Sequence, residues 1–144
     1  MNTLHALDLI GQFETAADDR TIVTLLRELS GRMGFDYFRL ALIFPSTIQR
    51  PDVIIFNGCP QAWVDTYTSS GFFAIDPIVK CAMTKSTPIL WADVVNDEAR
   101  CDEQGREVMQ LASEYGICDG ITLPWHGANG HVGLLSFITS TPRT

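Results

Sequence analysis

The sequence predicts an α/β fold: an α-β-α sandwich in which helices cover both faces of an antiparallel sheet of about five strands. Three observations predict it. Five short segments carry strand chemistry, helical periodicity fills the stretches between them, and the strands follow one another through hairpins or long helical excursions. The regular strand-helix-strand alternation of a parallel sheet is missing. At 144 residues the chain suits one domain, 1–144, with a core of its own.

The elements read in order as follows. Leu4, Leu7, Ile10 and Phe13 mark a short amphipathic helix. Ile22, Leu25, Leu26, Leu29 and Met33 recur at helical spacing, with Asp18 or Asp19 as the cap and Gly34 as the stop. The aromatic and aliphatic run 37–44 and the run 53–56 read as two strands, joined by a loop containing Pro45 and Pro51. Pro60 opens a helix that places Trp63 and Tyr67 on one face. Asp76-Pro77 reads as an N-cap followed by a proline in the first helical position, starting a helix that runs to Met83. Residues 88–91 read as a short extended piece. Val108, Leu111, Ala112 and Tyr115 define a further amphipathic helix ended by Gly116. Residues 117–125 and 131–139 flank the turn-rich 126–130 and predict a hairpin.

Composition narrows the function classes. No apolar run approaches the ~20 residues that span a bilayer, and the acidic first twenty residues do not read as a signal peptide. Cys59, Cys81, Cys101 and Cys118 are too far apart for a CxxC motif, so free thiols and a cytoplasmic location are expected. A net charge of −7, with ten Lys and Arg and no basic cluster, argues against direct DNA binding.

Catalytic motifs are absent: no Gly-x-Ser-x-Gly, no phosphate loop and no His-Glu-x-x-His. His126 and His131 flank a turn without a third obvious ligand, which predicts no metal site. Nothing in the local sequence supports a Cys59–His126 nucleophile pair. The informative stretch is 60–91, with Trp63, Tyr67, Asp76-Pro77 and Trp91. These aromatics read equally as core residues, with Asp76 no more than a helix cap. Aromatic groups with polar tips beside one carboxyl group are also what encloses an amide-bearing apolar ligand.

Pro60-Gln-Ala-Trp63, Tyr67, Phe72-Phe-Ala-Ile-Asp76-Pro77-Ile-Val79, Pro88-Ile-Leu-Trp91 and Gly120-Ile-Thr-Leu-Pro124 follow one another in order and in register. Together they resemble the autoinducer-binding domain of LuxR-type quorum-sensing transcriptional regulators, over about residues 34–137. The resemblance implies a non-enzymatic sensor without cofactor, holding an N-acyl-homoserine lactone or a related acyl amide between the sheet and one helix layer. It also implies homodimerisation, and DNA contact only through a helix-turn-helix domain that these residues do not include; no membrane is involved.

By the same resemblance, Asp76 accepts from the ligand amide N–H and Trp63 donates to the lactone carbonyl. Tyr67 meets the acyl carbonyl, Trp91 packs on the lactone ring, and Ser136 and Thr122 add hydroxyls. Val79 and the pocket-facing set of the first strand, with Ala41 and Ile43, line the wall. Two positions depart from the family pattern. Cys59 stands where a tyrosine is usual, and Arg39 where a small or apolar residue is usual. Strand alternation puts Tyr37, Arg39, Ala41 and Ile43 on one face, so Arg39 either snorkels to the rim or pairs with Asp76. Pairing would suit a strongly polar or acidic ligand, or hold the cavity closed. The alternative function is a ligand-independent dimerisation or anti-activator module of the same family.

Overall fold

The computed structural model describes residues 18–44 and 52–142. Within them five strands form one antiparallel sheet in the order β2-β1-β5-β4-β3. The strands are β1 Tyr37–Phe44, β2 Asp52–Asn57, β3 Ile89–Leu90, β4 Asp119–His126 and β5 Val132–Thr139. The helices are α1 Asp19–Arg32, α2 Gln61–Ser69, α3 Pro77–Ala82, α4 Trp91–Val95 and α5 Glu103–Glu114. The helix expected near residues 4–13 lies outside the described residues.

Helix α1 starts where its cap dictates: the Asp18 carboxyl accepts from Thr21 N–H at 2.8 Å. Its end is a glycine stop, with Gly34 at φ +86°, a conformation that other residues adopt at a cost. Helix α1 lies on one face of the sheet, where Leu26 packs with Phe38, Phe56 and Phe137. The opposite face carries the larger core, built from α2 to α5 and including Ala41, Trp63, Val108 and Ile138. The strand period of two produces this division: Phe38 points to α1, and Arg39, Ala41 and Ile43 point the other way.

Two expectations need correction. Trp91 is not extended; it opens helix α4, and the strand before it is only Ile89–Leu90. Residues 117 and 118 precede β4, which runs on to His126, so that histidine belongs to the strand and not to the turn. Its Nε2 lies 3.0 Å from Ala82 O and 2.8 Å from Lys85 O, tying the end of β4 to the segment after α3. The turn itself is closed by Asn129 and Gly130, both at positive φ. Pro124 is tolerated because β3 pairs only with Ile121 and Thr122, leaving that edge free beyond them.

Candidate ligand-binding site

A row of paired residues crosses the sheet and forms the floor of the site. Arg39 on β1 pairs with Ser136 on β5, and Ser136 pairs with Thr122 on β4. Directly paired residues share a face, so all three point at the helix layer. Trp91 stands above this row, its indole Nε1 donating to Thr122 Oγ1 at 2.9 Å, and Thr122 Oγ1 lies 2.7 Å from Ser136 Oγ. The relay is deeply buried, with Thr122 fully enclosed. Gly120 makes room for the indole: a Cβ there would lie 2.7 Å from Phe137 O and 3.0 Å from the Trp91 ring.

Asp76 anchors the other side. Its Oδ1 accepts from Ile78 N–H at 2.8 Å and from Val79 N–H at 3.4 Å, capping α3. Its Oδ2 accepts from the Tyr67 hydroxyl at 2.8 Å. Burial, and then the neighbouring Asp76, push the Tyr67 phenol far above its usual range, so the hydroxyl stays a donor. Tyr67 sits one helical turn from Trp63, and the two rings meet edge to face at 5.7 Å. Trp63 also packs against Phe72 and Tyr115, at 5.9 and 5.4 Å.

Arg39 turns inward and does not snorkel to solvent. Its guanidinium stacks over the Tyr67 ring at 4.2 Å from the centroid, and Nη1 lies 4.0 Å from Asp76 Oδ2. Nη2 is buried and has no hydrogen-bond partner. Cys59 lies beside it. Burial pushes that thiol up to about 11, against a smaller opposing pull from Arg39, and its Sγ donates to Phe38 O at 3.5 Å. A thiol held protonated at neutral pH is a poor nucleophile. Its partner is on β1, while His126 is engaged with Ala82 and Lys85, so the two do not form a pair.

The cavity between these groups is small, about 40 Å³. Arg39, Ala41, Cys59, Trp63, Tyr67 and Asp76 line it, as do Val79, Trp91, Thr122 and Ser136. Ile43 does not: it is buried further along the same face, between Val53 and Val132. The sequence reading missed the wall contributed by α5 and its neighbours, where Val108, Met109, Ala112 and Ile117 close the cavity. The signal was there in the Val108–Ala112 spacing, which identifies a buried face without saying what it faces. The same spacing places Tyr115 on that helix without showing that it packs against Trp63. Among the described residues no group of three His, Cys, Asp or Glu side chains is placed to hold a metal ion, and no helix is long and apolar enough to cross a membrane.

A sequence model of the autoinducer-binding domain matches residues 18–144. The chain belongs to that family. It is 41% identical over 135 residues to the transcriptional activator protein AhyR of Aeromonas hydrophila, covering 93% of this chain and 52% of AhyR. The chain thus spans about half the length of the curated relatives it matches. Among solved structures, SdiA in complex with octanoyl-rac-glycerol superposes with a TM-score of 0.79 at 22% identity, over 100% of this chain and 57% of that one. CepR2 of Burkholderia cenocepacia, an N-acylhomoserine-lactone-dependent factor of the LuxR family, gives 0.79 at 22% identity, over 98% and 79%. At these identities the structures support the fold, and the autoinducer-binding fold is the one the sequence predicts.

Proposed function

We propose that this autoinducer-binding domain senses an N-acyl-homoserine lactone or a related acyl amide, as the ligand-sensing part of a cytoplasmic, homodimeric quorum-sensing transcriptional regulator. The observation that carries the reading is the convergence of Trp63, Tyr67, Asp76 and Trp91 on one cavity. Asp76 Oδ2 faces it with one short hydrogen bond and takes a ligand amide N–H as a second. Trp63 donates to the lactone carbonyl, Trp91 covers the lactone ring, and Ser136 and Thr122 offer hydroxyls. The apolar lining of the cavity receives the acyl chain, and DNA is contacted by a segment outside these residues. SdiA, similar in fold, accommodates an octanoyl chain on a polar head, and CepR2 depends on an acyl-homoserine lactone. The protonated Cys59 and the hydrogen-bonded Asp76 favour binding over catalysis.

A second reading is favoured by the position of Arg39. Its guanidinium fills the space over Tyr67 and leaves little free volume. A module of this kind would pair with another copy or with a full regulator and ignore ligand. Thermal unfolding across a panel of acyl-homoserine lactones and simple acyl amides, with mass spectrometry of the recovered ligand, separates the two. Concentration-dependent stabilisation with intact ligand is expected, about 2.7 kcal/mol at a hundredfold excess over Kd. No stabilisation by any compound sinks the sensor reading, and recovery of a converted compound sinks the assignment as a non-enzyme.

A further inference from the structure

Arg39 lines two neighbouring cavities. The inner one holds Asp76, Trp91 and the Thr122–Ser136 pair; the outer one, about 20 Å³, lies among Ile55, Asn57, Val64 and Thr68. Arg39, Trp63 and Tyr67 line both. The two rings are fixed: they are buried, they pack against one another, and both meet Phe72. Arg39 is held differently. It rests on Tyr67 by stacking and reaches Asp76 only at 4.0 Å, too long for a hydrogen bond, with Nη2 unpartnered. The wall between the cavities therefore has one displaceable component.

We propose that Arg39 sets the length of acyl chain the site accepts: it ends the inner cavity, so the domain prefers short acyl groups, and a small residue there admits long ones. This rests on the acyl-amide reading above. Each methylene that finds apolar cover adds roughly fourfold in affinity, so a chain grows tighter until it meets the guanidinium. To go further it must lift a buried cation from Tyr67 and Asp76, which strands those charges, and the displaced side chain takes the space in which further methylenes would find apolar cover. With a small side chain at position 39 the two cavities join, and the outer apolar residues Ile55 and Val64 cover the tail.

The test is calorimetric titration of the chain with butanoyl-, octanoyl- and dodecanoyl-homoserine lactone. Wild type is expected to bind the butanoyl compound about tenfold or more tighter than the dodecanoyl one, because displacing the buried cation costs more than the uncovered methylenes return. Arg39→Ala is expected to reverse that order, and Arg39→Ala with Val64→Phe to restore it by refilling the outer cavity. A wild-type preference for dodecanoyl overturns the proposal, and needs no variant to fold. A uniform loss for all three chains in Arg39→Ala also overturns it, because that result makes Arg39 a donor to the common head group. No binding of any of the three by wild type overturns the acyl-amide reading itself, and the length rule with it.

Discussion

The Tyr67 hydroxyl donates to Asp76 Oδ2 at 2.8 Å, across nine residues of chain that turn through a 3₁₀ segment at Phe72–Ala74. That bond uses the oxygen nearest Arg39, so the cap of α3, the ring that carries the guanidinium and the buried charge are one connected unit. Ligand entering this site has to share an acceptor that is already engaged.

Removing that hydroxyl tests the unit. Tyr67→Phe is expected to lower unfolding free energy by about 1–3 kcal/mol, since Oδ2 loses its short hydrogen bond inside the protein. Urea denaturation should show a lower midpoint with an unchanged slope.

Asp76 is the harder loss. Asp76→Ala removes the α3 cap, about 1 kcal/mol, and strands the Arg39 cation, whose side chain is only 16% exposed. Uncompensated buried charges cost about 3–5 kcal/mol, so the variant should be destabilised by at least ~3 kcal/mol. Asp76→Ala combined with Arg39→Met should recover part of it. Equal melting temperatures for the single and double variants would show that Arg39 and Asp76 are not coupled.

The Trp91–Thr122–Ser136 relay predicts a contrast between two conservative changes. Thr122→Ser keeps the hydroxyl and should cost less than about 1.5 kcal/mol, whereas Thr122→Val keeps the shape but leaves the indole N–H without a partner, about 1–3 kcal/mol. Thermal unfolding of both variants beside wild type reads the difference.

Gly120→Ala should be destabilising although alanine is a mild change. The added Cβ would meet Phe137 O at 2.7 Å, backbone that cannot swing aside, and press on the Trp91 ring. The expected cost is about 1–3 kcal/mol with weakened lactone binding, checked by melting temperature and titration.

Cys59 gives a pH signature. Its thiol ordinarily titrates near 9.0 and in the folded protein is pushed up to about 11. Within that window the folded state keeps a proton that the unfolded chain has released, so stability falls as pH rises through it and is unaffected by this group below it. Subtracting the unfolding free energy of Cys59→Ala from that of wild type at pH values on either side of the window should isolate the decline. A flat difference would mean that the thiol is not buried in the folded protein.

Local pattern made much of the fold legible. Asp18 as cap, Gly34 and Gly116 as stops, Asp76-Pro77 as a helix start and the inward set of β1 depend on neighbours within a turn or on strand alternation. The boundary that failed, at Trp91, failed because an aromatic residue after Ile89-Leu90 extends a strand pattern as readily as it starts a helix. His126 belongs to the strand for a reason of the same kind, since its role depends on carbonyls more than forty residues away.

By itself, then, the sequence determined the class of fold, the division of β1 into two faces and the set of aromatic and carboxyl residues available to a ligand. Only the tertiary structure decided how those residues are spent. It turned Arg39 onto Tyr67 and away from the rim, and gave the Tyr67 hydroxyl to Asp76. It also left Ile43 outside the cavity and brought Val108, Met109 and Tyr115 to the site. The physical reason is range: periodicity and capping act over one turn or one strand, whereas a buried donor finds its acceptor through strand register and helix packing that join distant parts of the chain.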